Sequence, residues 1–329
     1  MRVLLTGASG FIGRKLASEF VKAGHEVTAL VRPTSNTSGL PESIRFVEGD
    51  VLDIASLQPA TESQAVVVHL ATYFDFFPSD EELMYRVNTE GPQNMMRACV
   101  GTSVERFIYC STTETIGAVK YPPGNEDTEL RPAFRYAESK VAAEIAIREI
   151  TSETDLPHII LRPTGVTGEG DLYAMYDIVR AVHEGIPALP RDMSGRFMWS
   201  HVDDVAAAFC AALGLQAALN STIILCPDEP MTWAEFVDLV GSHLGSTPPG
   251  LRVPAVLTKV GMAVLSPIKN RKQSSFFWHL GNVDFMSEDR WYTNKKAKRM
   301  LGWTPSMTIE QALKRAMDWW LDNGYLTKE

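Results

Sequence analysis

Val3-Leu4-Leu5-Thr6-Gly7-Ala8-Ser9-Gly10-Phe11-Ile12-Gly13, close to the N-terminus, is the stretch that decides the fold of this chain. An apolar run with strand character leads into a turn of three glycines, and apolar residues then recur at helical spacing. Gly7 permits a tight turn, Gly10 lets the backbone approach a pyrophosphate, and Gly13 lets the helix pack closely on the strand. Free N–H groups at the helix N-terminus favour phosphate. The stretch therefore predicts a strand, a turn and a helix that bind a dinucleotide.

The octapeptide Thr-Gly-Ala-Ser-Gly-Phe-Ile-Gly at positions 6–13 resembles the signature of the extended short-chain dehydrogenases/reductases, the NAD-dependent epimerase/dehydratase superfamily. This family includes nucleotide-sugar epimerases and dehydratases, 3β-hydroxysteroid dehydrogenases and dihydroflavonol reductases, and the resemblance extends over most of the chain. It implies a Rossmann-type fold and a nicotinamide dinucleotide as cofactor. By this resemblance, the cofactor-binding residues of the turn are Gly7, Ser9, Gly10, Phe11, Ile12 and Gly13.

The bulk properties of the chain restrict its class. It has 329 residues, 45% of them hydrophobic, and a net charge of −9. A core of this size suits one large or two closely associated domains, and the lack of a basic block argues against nucleic acid as a partner. Four cysteines without C-x-x-C spacing indicate free thiols in a reducing cytoplasm. The histidines are scattered, so no metal site is predicted. The chain has no run of about 18 apolar residues, so no membrane span is predicted.

Strand and helix patterns alternate along the chain, which is typical of a doubly wound parallel α/β sheet. After the first strand, further strands are predicted at 26–31, 44–47, 65–70, 107–110, 158–161 and 222–225. After the first helix, further helices are predicted at 80–100, 133–150, 171–184 and 202–213. From about Pro227 helical patterns dominate, at 232–244, 254–265, 294–301 and 309–323.

This order of elements predicts two units. Residues 1–165 form a dinucleotide-binding Rossmann domain, to which residues 197–226 return. Residues 166–196 and 227–329 form a smaller, mostly helical C-terminal lobe that binds the substrate. A cleft between the two units is the expected place for a small molecule.

The choice between NAD(H) and NADP(H) depends on the residues that follow the second strand. An acidic residue there binds the ribose 2′-hydroxyl of NAD, whereas a cation suits the 2′-phosphate of NADP. The segment 29–36 has no acidic residue and carries Arg32, so NADP(H) is favoured and NAD(H) is the alternative. The resemblance implies further cofactor contacts to the adenine, the nicotinamide-side ribose and the carboxamide, at Asp50, Val51, Leu70, Ala71, Thr72, Tyr136, Lys140, Pro163 and Val166.

Tyr136 and Lys140 form a Y-x-x-x-K pattern near the start of a predicted helix, where residues four apart share a face. A neighbouring ammonium and an oxidised nicotinamide both favour the phenolate. Tyr136 is therefore predicted as the acid/base, and Lys140 as its support and a ribose ligand. Tyr292 and Lys296 match the same pattern in the C-terminal lobe. The position of Tyr136, one loop after the fifth strand, favours the first pair.

The resemblance implies a third catalytic residue after the fifth strand. In the family, a catalytic hydroxyl lies five residues before a glycine, which corresponds to Thr112 here, with Thr113 as the neighbouring alternative. This hydroxyl would hydrogen-bond the reacting oxygen and stabilise the charge that develops on it. Sugar-nucleotide dehydratases place Asp and then Glu after the hydroxyl. Thr113 stands where that Asp would be, which argues against dehydration.

The residues around the expected cleft favour a lipophilic substrate. The aromatic segment 73–77 follows the fourth strand, and Met193 and the segments 197–199 and 276–278 could face it across the cleft. A nucleotide-sugar pocket presents arginines to a diphosphate. Four arginines are available, but none stands in a matching motif: Arg191, Arg196, Arg271 and Arg290.

The leading prediction is an NADP(H)-linked oxidoreductase that transfers a hydride between the cofactor and a lipophilic carbonyl or alcohol. One alternative is a nucleotide-sugar epimerase with tightly retained NAD, and another is a non-catalytic NADP-binding regulatory protein. The resemblance also implies a homodimer through the helices predicted at 80–100 and 133–150.

Overall fold

Seven parallel strands form the central sheet of the computed structural model, which describes residues 1–75, 78–184, 189–247, 251–254, 256–257, 260 and 282–328. The strands, numbered along the chain, are β1 (Arg2–Thr6), β2 (Glu26–Val31), β3 (Arg45–Glu48), β4 (Val66–His69), β5 (Arg106–Cys110), β6 (His158–Pro163), β7 (Gly165–Thr167), β8 (Leu189–Pro190), β9 (Arg196–Phe197), β10 (Trp199–His201), β11 (Ser221–Leu225), β12 (Met231–Thr232) and β13 (Arg252–Val253). The helices are α1 (Phe11–Lys22), α2 (Ile54–Thr61), α3 (Glu81–Cys99), α4 (Arg135–Thr154), α5 (Ala174–His183), α6 (Val202–Ala212), α7 (Trp233–Leu244), α8 (Asn282–Phe285), α9 (Lys295–Leu301) and α10 (Ile309–Asp322).

The order of strands across the sheet is β11-β6-β5-β4-β1-β2-β3, and every neighbouring pair is parallel. The chain builds the sheet outward from β1 in one direction and from β4 in the other. The predicted doubly wound, Rossmann-type parallel sheet is therefore confirmed. In such sheets, ligands bind at the carboxyl ends of the strands where the order reverses, which here is between β1 and β4.

Most predicted elements lie within a few residues of the observed ones. The short strands β7–β10, β12 and β13 and the short helix α8 were not predicted, and three further helices differ. Helix α2 was not predicted; Asp53 caps it by accepting the backbone N–H of Ala55 at 3.1 Å. Helix α5 begins at Ala174 rather than at 171, because the Asp171 carboxylate accepts the backbone N–H of Tyr173 at 2.9 Å and holds a turn. The helix predicted at 254–265 lies largely outside the described residues.

Two apolar layers enclose the sheet. On one face, α1 and α6 cover β1 and β4, and on the other face α3 and α4 pack against each other over the same strands. The run Val66-Val67-Val68 in β4 is fully buried, as a central parallel strand requires. Because its side chains alternate between the two layers, this strand contributes to both cores.

A third apolar cluster lies in the C-terminal part of the chain around α5, α7 and α10. Trp320 of α10 is fully buried and donates its indole N–H to the Asp171 carbonyl at 2.6 Å, which ties the helix to the segment after β7. Strand β11 nevertheless belongs to the central sheet, beside β6. The division of the chain at residues 165, 196 and 226 stays a prediction.

Within the described ranges, no helix has the length and apolar character needed to cross a membrane. Among the same residues, no three His, Cys, Asp or Glu side chains come together as metal ligands. The cysteines at 99, 110, 210 and 226 are free thiols.

Candidate active site

A cavity of about 830 Å³ opens at the carboxyl edge of the sheet, at the switch point between β1 and β4. The structure brings all the predicted site residues to its wall. The predicted cofactor ligands that line it are Gly7, Ser9, Gly10, Phe11, Ile12, Gly13, Arg32, Asp50, Val51, Leu70, Ala71, Thr72, Pro163 and Val166. The predicted catalytic residues that line it are Thr112, Tyr136 and Lys140. Its size is in the range of small-molecule and cofactor sites.

Two glycines of the N-terminal turn are required by its geometry. Gly7 has φ +71°, and a Cβ there would lie 2.8 Å from the backbone of Leu70 and Ala71. A Cβ on Gly13 would lie 2.0 Å from the carbonyl oxygen of Gly7. A side chain on Gly7 would collide with the turn after β4, and one on Gly13 would push the first turn of α1 away from β1. These glycines therefore let the helix N-terminus approach the cavity.

Arg32 lies at the adenosine end of the cavity, after β2. Its side chain is exposed, and its backbone N–H donates to the Ser35 hydroxyl at 3.0 Å. Arg32 and Ser35 both line the cavity. Asp50, on the loop after β3, uses one carboxylate oxygen to accept the backbone N–H of Leu52 at 2.9 Å. The predicted adenosine-side residues are thus held by local hydrogen bonds.

Asn88 of α3 organises the turn after β4, a role that was not predicted from the sequence. Its buried amide oxygen accepts the Thr72 hydroxyl at 2.9 Å and the Tyr73 backbone N–H at 2.8 Å. Its amide nitrogen donates to the Tyr73 carbonyl at 3.0 Å and to the Ser139 hydroxyl at 3.2 Å. Asn88 therefore connects the turn of Thr72 to helix α4. A lone asparagine inside a helical pattern gives no local signal of such a role.

Lys140 is buried beneath the cavity on α4. Its ammonium donates to the Cys110 carbonyl at 2.7 Å and lies 4.2 Å from the centre of the Tyr109 ring. Burial lowers the pKa of Lys140 to about 8, although Cys110 and Glu144 oppose the shift. The lysine is therefore fixed at the end of β5, one helical turn from Tyr136.

Tyr136 is half-buried at the cavity wall, and its ring contacts Phe74 at a centroid distance of 4.9 Å and Phe134 at 6.1 Å. Burial raises the pKa of Tyr136 above its ordinary value, Cys110 and Glu114 add to the rise, and a hydrogen bond with Thr72 opposes it. The expectation that Lys140 and an oxidised nicotinamide together favour the phenolate stays a prediction, because Lys140 is not among the groups that shift this pKa in the structure. Loss of hydration is the largest cause of the shift, and the ammonium interacts with the Cys110 carbonyl and the Tyr109 ring instead.

The second Y-x-x-x-K pattern has a different geometry. Tyr292 precedes helix α9, which begins at Lys295, so Tyr292 and Lys296 do not share a helical face. The buried Tyr292 hydroxyl donates to the Gly117 carbonyl at 2.7 Å, and the ring packs in the third apolar cluster. Tyr292 also lines the cavity. Only the pair on α4 has the one-face arrangement that the pattern predicts.

Thr112 follows β5 and caps a short 3₁₀ helix (Thr113–Thr115). Its hydroxyl oxygen accepts the backbone N–H of Glu114 at 3.2 Å. In this bond the hydroxyl acts only as an acceptor, so its own proton can be donated to a substrate oxygen in the cavity. The neighbouring Thr113 is also buried and lines the cavity.

A buried ion pair lies behind these residues. Glu144 of α4 accepts two hydrogen bonds from Arg162 of β6, at 2.8 and 2.6 Å, and a third from the Ser111 hydroxyl at 2.6 Å. Glu144 is 0% exposed and Arg162 2%. The network joins the helix of Tyr136 and Lys140 to the strand end that carries Thr112. This network was not predicted from the sequence. The feature that could have indicated it is the spacing of Glu144, which follows Lys140 by four residues.

Apolar side chains dominate the end of the cavity beyond Tyr136. Those that line it include Phe74, Phe134, Phe197, Met198, Trp199, Trp233 and Phe285. Met193 is buried in the third apolar cluster instead of the lining, and residues 276–278 lie outside the described part.

Arg290, which lines this end of the cavity, and Arg196, which lies outside the lining, are both paired with carboxylates. Arg290 lies 3.5 Å from the centre of the Phe285 ring and donates to Glu114 at 3.0 Å. Arg196 makes a two-fold bond with Asp289, at 2.8 and 2.7 Å. Arg191 is exposed and lies outside the lining, and Arg271 is outside the described residues.

Comparisons with known proteins agree with this fold. The model of the NAD dependent epimerase/dehydratase family matches residues 3–225. A 3-beta-hydroxysteroid dehydrogenase of Mycolicibacterium neoaurum is 26% identical over 342 residues, which cover 98% of this chain and 92% of that protein. The crystal structure of gox2253 has a TM-score of 0.84 and 26% identity, and covers 99% of both chains. UDP-glucuronic acid 4-epimerase from Bacillus cereus, solved in complex with NAD, has a TM-score of 0.77 at 20% identity, and covers 99% of this chain and 100% of its own. The chain belongs to the NAD-dependent epimerase/dehydratase family and has the fold of its NAD(P)-dependent oxidoreductases and epimerases.

Proposed function

We propose that this protein is an NADP(H)-linked oxidoreductase acting on a lipophilic carbonyl or alcohol. The observation that carries the proposal is the meeting of Thr112, Tyr136 and Lys140 in one cavity, between the dinucleotide-type turn and an aromatic wall. When bound, the nicotinamide supplies or accepts the hydride. The protein holds the reacting oxygen and moves its proton.

The proposed roles follow from the local hydrogen bonds. Thr112 donates its free hydroxyl proton to the reacting oxygen and orients it. Tyr136 transfers a proton to that oxygen in the reduction direction and removes it in the oxidation direction. Its raised pKa keeps the phenol protonated near neutral pH, which suits the acid of a reduction. Lys140 supports Tyr136 and binds the ribose hydroxyls on the nicotinamide side.

A lipophilic substrate is supported by the lining of the cavity. Aromatic side chains surround Tyr136, and the carboxylate of Glu114 neutralises Arg290, which lines this end of the cavity. A diphosphate placed here would have to displace this ion pair before it gained an arginine. The name of the Mycolicibacterium relative, a hydroxysteroid dehydrogenase, fits the same substrate class.

NADP(H) is supported by Arg32, which lines the adenosine end of the cavity next to Ser35. In the part of the chain that the structure describes, Arg32 forms no ion pair, so its charge is available to a 2′-phosphate. A homodimer through α3 and α4 and a cytoplasmic location belong to the same proposal, and they are supported by resemblance and cysteine usage alone.

The first test of this function is a pair of cofactor titrations followed by a substrate screen. We expect stripped protein to bind NADPH at least about tenfold more tightly than NADH in a tryptophan fluorescence titration, because a phosphate–arginine pair contributes about 1.5 kcal/mol or more. With NADPH, hydrophobic ketones should be reduced and UDP-sugars should not be converted. NAD that survives dialysis together with UDP-sugar epimerisation would contradict the proposal. Nucleotide binding without turnover of any carbonyl would favour the regulatory alternative.

The pKa of Lys140 gives a second prediction. We expect cofactor affinity to be highest below about pH 8 and to fall as the pH rises through that value, because the neutral amine loses its charge-assisted hydrogen bonds. Titrations of NADPH between about pH 6.5 and 9.5 measure this change. Lys140→Arg is the matched control, since a guanidinium keeps its charge throughout that range. The same pH dependence in Lys140→Arg would assign the titration to another group.

A further inference from the structure

Arg14 lies in the first turn of α1 and joins two parts of the cofactor site. Its Nε donates to the Ser9 carbonyl at 3.0 Å, in the glycine-rich turn. The two terminal nitrogens donate to the carbonyls of Asn36, at 2.6 Å, and of Ser38, in the loop after β2. One side chain thus connects the pyrophosphate turn to the loop that carries Arg32.

All three acceptors are neutral backbone carbonyls, so these bonds fix the guanidinium without cancelling its charge. Neither Arg14 nor Arg32 forms an ion pair with any carboxylate in the ranges that the structure describes. Two uncompensated cations therefore stand at the adenosine end of the cavity. Arg32 lines that end, whereas Arg14 lies behind the loop and outside the lining.

The loop itself has few other supports. Ser35 accepts the Arg32 N–H at 3.0 Å, and the Asn36 side chain accepts the Ser38 N–H at 3.0 Å. Both bonds are local and exposed, and neither connects the loop to the rest of the protein. A loop of exposed residues must be ordered when it binds a ligand, unless a contact such as that of Arg14 has already ordered it.

We propose that Arg14 is a positioning residue for cofactor specificity: it holds the loop 36–38 against α1, so that Arg32 and Ser35 are preset for the 2′-phosphate of NADP(H). This inference rests on the proposed NADP(H) preference. Because Arg14 acts on the loop rather than on the pyrophosphate turn alone, its loss should weaken NADPH far more than NADH. Its uncompensated charge adds a smaller attraction for the 2′-phosphate.

The test compares dissociation constants of NADPH and NADH for wild type, Arg14→Ala, Arg14→Lys and Arg32→Ala. Arg14→Ala should raise the Kd of NADPH by about tenfold or more and that of NADH by less than about threefold. Arg14→Lys keeps the charge but lacks the planar fork that reaches three carbonyls, so it should recover only part of the NADPH affinity. Competition by 2′-AMP, compared with 5′-AMP, provides a readout that responds to the 2′-phosphate site alone.

The outcomes separate this inference from the proposed cofactor. A wild type that binds NADH as tightly as NADPH overturns the NADP(H) preference and the inference with it. A wild type that prefers NADPH, with an Arg14→Ala variant that keeps this preference, overturns the inference alone. If Arg14→Ala weakens the binding of both cofactors equally, Arg14 supports the turn in general and the inference is contradicted. If Arg14→Lys recovers the full NADPH affinity, the charge of Arg14 and not its positioning of the loop explains the preference, which also contradicts the inference. Arg14→Gln, which keeps helix propensity and an amide donor, repeats the measurement independently of any folding defect in Arg14→Ala.

Discussion

Tyr136→Phe is expected to lower kcat by about 10²–10⁴-fold while changing the Kd of the cofactor little, because it removes the group that is proposed to transfer a proton to the reacting oxygen. The ring and its contacts with Phe74 and Phe134 are retained, so the aromatic wall should persist. The measurement is single-turnover reduction of a ketone identified by the screen, with NADPH in excess. Because the phenol acts only in the transition state, kcat and kcat/KM should fall together.

Tyr176→Phe is the matched control for this variant. Its hydroxyl donates to the Tyr325 carbonyl at 3.0 Å, away from the cavity lining, so removal of the phenol should alter kcat by less than about threefold. Unchanged turnover in Tyr136→Phe would exclude Tyr136 as the acid/base and would indicate that another group in the cavity transfers the proton. Loss of cofactor binding together with turnover would show that the phenol positions the cofactor instead.

Glu144→Gln is expected to lower the free energy of unfolding by about 3–5 kcal/mol, because it leaves the guanidinium of Arg162 buried without a counter-charge. Urea unfolding at neutral pH measures the change. Glu90→Gln is the matched control: Glu90 pairs with Arg86 four residues away on the same protein, but the two side chains are 45% and 47% exposed. Its unfolding midpoint should stay unchanged, since exposed pairs contribute little.

The same pair predicts how stability depends on pH. Burial raises the pKa of Glu144, but hydrogen bonds and charge from Arg162, Ser111 and Arg148 outweigh it, and the net pKa is lowered. A group whose pKa is lower in the folded state contributes stability above its unfolded pKa of about 4.3. That stability is lost as the pH falls through the folded value. The wild type should therefore lose more stability than Glu144→Gln between about pH 5 and pH 3.

A double-mutant cycle identifies the origin of the effect. Arg162→Met removes the buried cation, and Glu144→Gln/Arg162→Met removes both charges together. We expect the double variant to be more stable than the sum of the single changes predicts, because neither charge is left alone. Additive losses would show that the two side chains do not stabilise each other. Ketone turnover by the double variant would then report whether the strand end at Ser111 still positions Thr112.

The sequence by itself determined the fold class and predicted residues that the folded chain brings to the lining of one cavity. The Gly7–Gly13 turn, the apolar run of β4 and the alternation of strand and helix are local patterns, and a parallel sheet brings the carboxyl ends of its strands to one edge. The meeting of residues from five separate loops in one cavity could therefore be predicted without any knowledge of long-range contacts. Short or irregular elements such as α2 escaped prediction, because a cap at Asp53 and a Pro59 inside the helix leave little periodic signal.

Only the tertiary structure decided how these residues are surrounded. It placed Tyr136 and Lys140 on one helical face and left Tyr292 before its helix, although both pairs have the same spacing. It also paired Arg290 with Glu114, at 3.0 Å, across 176 positions of the chain, and Glu144 with Arg162 across 18. The charge, hydration and pKa of a side chain depend on groups that are distant in sequence and close in space. Local patterns contain no record of those neighbours, so the chemistry of the site could be read only from the folded chain.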